Sequence, residues 1–218
     1  MTRLGEVGGR LGDAELRWII PAEQIVSMPA MLQRRWTEDE VRQLIDEASA
    51  PTPRYELVDG ELLVTPSPSL VHQRVARELM LVLHAYVKAH GVGEVLFSPS
   101  DVRLARELVV QPDLYVVPRE DNGPQPKNTH ITRLLLAIEI VSPSSARYDR
   151  VVKRRAYLAA GVPEYWIVDA DARTVERWRA ADARPEIEDG TLEWLPRGTS
   201  EPCVIDLRLL FATVNGDA

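Results

Sequence analysis

Apolar and polar positions alternate along this chain with periods that change from helix to strand and back. Thr37-Glu38-Asp39-Glu40 sets a threonine at a cap with glutamate three positions on, and Val41, Leu44 and Ile45 follow at helical spacing. That pattern predicts a short amphipathic helix ending near Ala48. Beyond Pro51 and Pro53, Tyr55 to Val64 reads as two short antiparallel strands turning at Asp59-Gly60, a strong hairpin signal. The longest helix is predicted next, with Ser67 as cap, Pro68 at the first position and Val71, Val75, Leu79, Val82, Leu83 and Tyr86 on one face, stopped by Gly91.

Strands are then predicted over Glu94 to Phe97, Val102 to Leu104, Asp113 to Val117 and Leu134 to Val141, with a polar, breaker-rich loop at 118–130. A Ser142-Pro143-Ser144-Ser145 turn leads to a helix from about Tyr148 to Ala160, ended by Gly161. Pro163 to Asp169 returns as a strand with Thr174 to Trp178 as its hairpin partner. Leu192 to Leu195, Cys203 to Ile205 and Leu207 to Phe211 read as edge strands and a closing turn of helix. This order predicts an α/β (α+β) layer arrangement around a mixed sheet. Residues 1–35 show no clear period and are read as an N-terminal arm, and residues 36–213 as a single domain.

Two positions break the apolar pattern. Asp113 stands in Gln111-Pro112-Asp113-Leu114-Tyr115, and Glu139 stands in Ala137-Ile138-Glu139-Ile140-Val141, where a strand buried on both faces normally carries valine or isoleucine. A lone buried carboxylate costs several kcal/mol unless it is paired, protonated or bound to a metal. Lys153, one of three lysines in the chain, lies on the helix that follows. Two carboxylates suffice to hold Mg²⁺ or Mn²⁺ together with water and a substrate phosphate, and a lysine beside them would orient water or meet developing charge. Each residue has a plainer reading: Asp113 capping a turn, Glu139 pointing outward on an edge strand, and Lys153 pairing with Asp149 four residues earlier on one helix face.

Composition narrows the classes. With 45% apolar residues and no run near the length of a membrane span, no membrane partner is expected. The first residues lack the apolar core of a secretory signal, so a cytoplasmic location is expected. The single cysteine, Cys203, excludes an intrachain disulfide or a cysteine-cluster metal site. A net charge of −7 argues against a surface coated for indiscriminate nucleic-acid binding. Positive charge does gather at Arg147, Arg150, Lys153, Arg154 and Arg155, as a phosphate-facing patch or a solvated helix face. No glycine-rich phosphate loop, nucleophile elbow or dinucleotide fingerprint is present.

Several segments taken together resemble a known family. They are Tyr55-Glu56-Leu57-Val58-Asp59-Gly60-Glu61, His72-Gln73, Gln111-Pro112-Asp113, Glu139-Ile140-Val141-Ser142-Pro143-Ser144, Asp149 with Lys153 and Tyr157, and Gly161-Val162-Pro163-Glu164-Tyr165-Trp166. In this order they are similar to the Uma-two family of restriction-endonuclease-type proteins, within the PD-(D/E)XK nuclease-like superfamily. The resemblance covers roughly residues 37–195. It implies a restriction-endonuclease-like fold, a mixed central sheet with a helix on either side, here with an N-terminal helix and hairpin and extra C-terminal strands.

It also implies a metal-dependent endonuclease acting on DNA phosphodiester bonds, with Mg²⁺ or Mn²⁺ as cofactor. Asp113 and Glu139 take the places of the two acids. Val141 stands where the superfamily pattern has lysine, and Lys153 is the replacement on the next helix. Glu61 and His72 fall in family motifs as further members of the metal site, His72 having also the plainer reading of a helix-surface or satisfied core histidine, and Gln111, Asp149 and Tyr157 in motifs beside it. The alternative is a catalytically silent module of the same fold that binds DNA or a protein partner, which Val141 and the acidic net charge motivate. A homodimer is expected, with Trp18, Ile19, Trp178 and Trp194 as exposed apolars for its interface.

Overall fold

The computed structural model describes residues 34–48, 53–119 and 131–217. Most of the N-terminal arm read over residues 1–35, Trp18 and Ile19 included, and the 118–130 loop from residue 120 on lie outside the described residues. Helix α1 (Glu38–Glu47) starts on the predicted capping box, with Thr37 and Glu40 capping each other reciprocally. Strands β1 (Arg54–Val58) and β2 (Glu61–Thr65) follow as a hairpin. Asp59 and Gly60 both have positive φ, 51° and 80°, the backbone that a two-residue turn needs to match strand twist.

Helix α2 (Leu70–His90) begins two residues later than the Ser67 cap predicts. The Ser69 hydroxyl is the one that meets the His72 amide, at 3.2 Å, and this leaves Pro68 ahead of the cap. Strands β3 (Gly93–Phe97), β4 (Val102–Ala105), β5 (Leu108–Val110), β6 (Leu114–Pro118) and β7 (Leu136–Ile140) come next. The single helix predicted from Tyr148 to Ala160 is instead a π-helical turn (Tyr148–Lys153) running into helix α3 (Arg154–Ala159). Strands β8 (Glu164–Asp169), β9 (Thr174–Arg179), β10 (Glu186–Glu188), β11 (Thr191–Trp194) and β12 (Cys203–Asp206) complete the strands. Helix α4 (Leu207–Asn215) is longer than the single turn expected there.

The central sheet has the order β10-β9-β8-β7-β6-β3 and is mixed: β7 and β8 are parallel, and the other neighbours antiparallel. Period-two alternation divides its side chains between two cores. Leu114, Val116, Leu136, Ile138, Ile140, Trp166 and Val168 pack with α2, α4 and the β11-β12 hairpin. Tyr115, Val117, Ala137, Tyr165 and Ile167 face the other way, against Ala156 and Tyr157 of α3. A second sheet, β2-β1-β5-β4, contributes Val58, Leu63, Val102 and Val110 to that second core. The predicted flanking helices are therefore in place, and the hairpin belongs to a separate four-stranded layer.

The structure corrects the exposed tryptophans. Trp178 and Trp194 are 6% and 2% exposed. Trp194 packs edge-on to Trp166, and the Arg154 guanidinium lies 4.2 Å over the Trp178 ring. Neither ring offers a face to a second copy. The predicted basic patch is also largely spent within the fold, because Lys153 is buried, Arg154 covers Trp178 and Arg150 pairs with Asp169 and Glu176. No helix among the described residues is long and apolar enough to cross a membrane.

Candidate active site

Strand parity decides where the two misplaced acids point. Leu114 of β6 stands opposite Ile138 of β7, so one step further along this antiparallel register Asp113 comes beside Glu139. Both point toward the second core, the side holding α3 and the four-stranded sheet. Asp113 is 5% exposed and Glu139 2%. The Ile140 amide donates to Asp113 Oδ2 at 2.9 Å, which ties the two strand ends together.

The π-helical turn brings the lysine. Its signature is the Arg154 amide donating to the Asp149 carbonyl five residues back, a widened geometry that recurs at functional sites. Lys153 Nζ lies 3.1 Å from Glu139 Oε1, 2.7 Å from Glu56 Oε2 and 3.6 Å from Asp149 Oδ1. Tyr157, one turn on, donates its hydroxyl to Glu139 Oε1 at 2.9 Å, and the Tyr165 hydroxyl donates to the Asp149 carbonyl at 3.1 Å. The plainer readings of an outward Glu139 and a surface Asp149-Lys153 pair are thereby displaced: all three side chains are buried.

The other half of the site is built on Asp113. Arg54 Nη1 donates to Asp113 Oδ1 at 2.8 Å and also reaches Ser98 Oγ at 2.7 Å and the Gln111 carbonyl at 3.3 Å. His72, on the first turn of α2, sets Nε2 2.9 Å from Asp113 Oδ2. Gln111 lies at the edge of the group, its amide donating to Glu56 Oε1 at 2.7 Å and its side chain to Asp101 at 2.8 Å. Glu61 is not in the cluster. It pairs with Val58 at the turn end of the hairpin, whereas Arg54 pairs with Thr65 at the other, and four residues of strand set those ends about 13 Å apart.

Sequence reasoning missed Arg54 and Glu56 as site residues. They alternate with Tyr55 and Leu57, as on a strand with one solvated face, but β1 is covered on both sides. Tyr55 and Leu57 pack with α1, and Val58, of the same parity as Arg54 and Glu56, packs in the second core. The usable signal was an arginine and a glutamate two residues apart in a strand flanked by apolar layers.

Electrostatics follow from this geometry. Of the eight buried polar or charged side chains among the described residues, all but Arg177 belong to the cluster. Four carboxyl groups, Glu56, Asp113, Glu139 and Asp149, face two cations, Arg54 and Lys153, an excess of acidic groups that favours protons on the most buried of them. Burial pushes the Glu139 carboxyl well above the usual range; Lys153 opposes this, and the Asp113, Asp149 and Glu56 charges add to it. Burial also raises Asp149 against the pull of Lys153. Asp113 goes the other way: burial would raise it, but the hydrogen bond and charge of His72, the Arg54 guanidinium and the Ile140 amide together hold it at about 2. For Lys153 burial favours the neutral amine, and Glu139, Glu56 and Asp149 outweigh it, so the ammonium is held charged far beyond neutral pH.

The cluster floors a cavity of about 380 Å³, walled by the Ser142-Pro143-Ser144-Ser145 turn and by the chain entering α2. The first turn of α2 carries no acidic residue, so the helix dipole favours an anion there.

The profile of the Uma2 family, described as "Putative restriction endonuclease", matches residues 38–202. The chain belongs to the Uma2 family. Among solved structures, one from Anabaena variabilis described as a "putative nuclease belonging to DUF820" superposes with a TM-score of 0.65 at 21% identity, over 82% of this chain and 98% of that one. At that identity the likeness establishes the fold, which is the nuclease-like mixed sheet expected. No curated protein matches the chain. Val141 stands two residues after Glu139 in this Uma2 chain, and the lysine that approaches Glu139, at 3.1 Å, is Lys153 of the π-helical turn.

Whether a divalent cation suits this site is decided by the donors. Among the described residues no group of three or more His, Cys, Asp or Glu side chains is arranged around one point as a metal cage. Mg²⁺ and Mn²⁺ do not require one, because one or two carboxylates with waters and substrate oxygens complete their shell. Two adjoining hard-oxygen donors, Asp113 and Glu139, fit such an ion, whose charge would favour the ionised form of Glu139.

Proposed function

We propose that this Uma2 protein is a Mg²⁺- or Mn²⁺-dependent endonuclease that hydrolyses DNA phosphodiester bonds in the cytoplasm. The observation that carries the reading is the convergence of Asp113, Glu139 and Lys153, from two strands and a π-helical turn, on the floor of one cavity. Asp113 and Glu139 would hold the ion, which when bound supplies Lewis-acid polarisation of the phosphodiester and a lowered pKa of its water.

The remaining work falls to the chain's own side chains. Lys153, locked in its ammonium form, cannot serve as a general base, and its role is to meet charge developing on the phosphate oxygens. Tyr157 fixes the orientation of Glu139 through Oε1. Arg54 and His72 hold Asp113 ionised and fixed in rotamer. The positive end of the α2 dipole favours the substrate phosphate beside the cavity.

Incubation of the full chain with supercoiled plasmid and with single-stranded DNA, in Mn²⁺ and in EDTA, tests this beside Asp113→Asn and Lys153→Met. Metal-dependent cutting by the parent and not by the folded variants is expected; equal cutting by all three sinks the proposal. One observation favours a catalytically silent binding module instead: both oxygens of Asp113 already accept protein donors. Calorimetric titration with Mn²⁺ separates the readings, because a silent module would show no binding that depends on Asp113.

A further inference from the structure

The site cavity has a neighbour. On the other side of Arg54, His72 and Asp113, which line both, lies a second cavity of about 370 Å³. Ala76 and Met80 of α2 with Phe97 and Leu114 of the sheet form an apolar wall, and Gln73 and Arg77 on α2 supply polar groups. The chain has two phenylalanines. Phe211 is 1% exposed, as expected of a large apolar ring, whereas Phe97, at the end of the edge strand β3, is 58% exposed. Two of the side chains shared between the cavities each keep one buried nitrogen without a hydrogen-bond partner among the described residues, Arg54 Nε and His72 Nδ1. Among the described residues Arg77 pairs only with its neighbour Glu78 at the surface, a pairing that costs little to give up.

Resting on the nuclease reading above, we propose that this second cavity takes an unstacked nucleobase of the strand being cut, with Phe97 as its stacking face. A phosphodiester set at Asp113 carries one nucleoside to each side, and the wall shared between the cavities makes the second one the continuation of the strand's path. An apolar slot with an open aromatic ring suits a π-face, and Gln73 suits a base edge. Arg77 and Arg54 complement the strand's phosphates. A base paired and stacked within a duplex cannot enter such a slot without leaving its stack, so the site favours single-stranded, frayed or flipped nucleotides.

Binding tests this without relying on turnover. Fluorescence anisotropy of a labelled single-stranded oligonucleotide would be measured in EDTA and in Ca²⁺ with the full chain, Phe97→Ala and Phe97→Trp. A mostly exposed ring leaves no core void on truncation, and equal melting temperatures confirm that the variants are folded. Phe97→Ala is expected to weaken single-strand binding about 5- to 150-fold, the range of one lost base stack, with Phe97→Trp retaining it. An oligonucleotide with abasic positions is expected to bind the parent and Phe97→Ala alike. Equal single-strand affinity for parent and Phe97→Ala, an equal loss on the abasic strand, or no single-strand binding by the parent in either condition overturns the proposal. Phe97-dependent binding without any metal-dependent cutting would remove the nuclease reading and leave the base site standing; cutting with no effect of Phe97 would do the reverse.

Discussion

Replacing Lys153 with Met removes the cation around which three carboxylates are gathered, at 2.7, 3.1 and 3.6 Å, in a part of the protein where its own side chain is 4% exposed. Methionine fills a similar volume, so the cost is electrostatic rather than a void. Deleting one partner of a buried ion pair costs about 3–5 kcal/mol because the other charge is left uncompensated. Here the carboxylates have an escape, since they can take up protons, and the escape has a pH signature. Glu139 and Asp149 already have folded-state pKa values above their ordinary ones, and loss of the ammonium raises them further. An acid with a raised folded pKa loses stability as pH climbs from its unfolded value toward its folded one, because the unfolded chain ionises first. Each extra proton held by the folded variant steepens that loss by about 1.4 kcal/mol per pH unit.

Urea unfolding followed by tryptophan fluorescence at pH 5, 6.5 and 8 should therefore show Lys153→Met less stable than the parent by about 3–5 kcal/mol at pH 8 and by clearly less at pH 5. Adding Glu56→Gln to the variant should restore part of the loss, because one of the stranded charges goes with it. A deficit below about 1 kcal/mol at pH 8, or one that does not change with pH, would show that the cluster is solvated or differently paired.

Two further outcomes follow from other contacts. Asp113, held at about 2 against an ordinary 3.8, contributes stability that is full above the ordinary value and fades as pH falls through 2; Asp113→Asn should be about 2 kcal/mol weaker than the parent at pH 7, with the gap narrowing between pH 4 and 2 in urea titrations. At Gly93 a Cβ would stand 2.0 Å from the Val117 carbonyl oxygen, whereas at Gly190 it would meet nothing within 4 Å. Gly93→Ala should then lower the thermal midpoint as a loss of about 2 kcal/mol or more does, by forcing β3 off β6, while Gly190→Ala stays within about 0.5 kcal/mol of the parent.

The legible part of the site was the part that contradicts its surroundings. Asp113 and Glu139 sit in runs of apolar residues, and their placement needs no tertiary knowledge to be noticed. Lys153 was legible by elimination, as the lysine on the helix after the second acid, but the turn that aims it was not. The π-helical stretch meets Tyr165 and Glu139 through Asp149 and Lys153, and nothing in Tyr148-Asp149-Arg150-Val151-Val152-Lys153 departs from an ordinary helix pattern. Arg54 and Glu56 were hidden for the opposite reason to the acids, since charged residues alternating with apolar ones are what a half-solvated strand looks like. Only the docking of the second sheet turns their face inward. Trp178 and Trp194 erred the same way: an aromatic in a hairpin reads as exposed until the arginine or tryptophan that covers it is known.

That docking has a consequence for when the centre can exist. Its charges come from β1, the start of α2, the approach to β6, the end of β7 and the π-helical turn, five separated stretches between Arg54 and Lys153. A growing or truncated chain that stops short of residue 153 holds the acids and Arg54 but lacks the cation that balances them. The charge balance of this cluster is thus complete only when both sheets and the π-helical turn are in place, and a partly folded copy would carry the fold's most expensive residues unpaired.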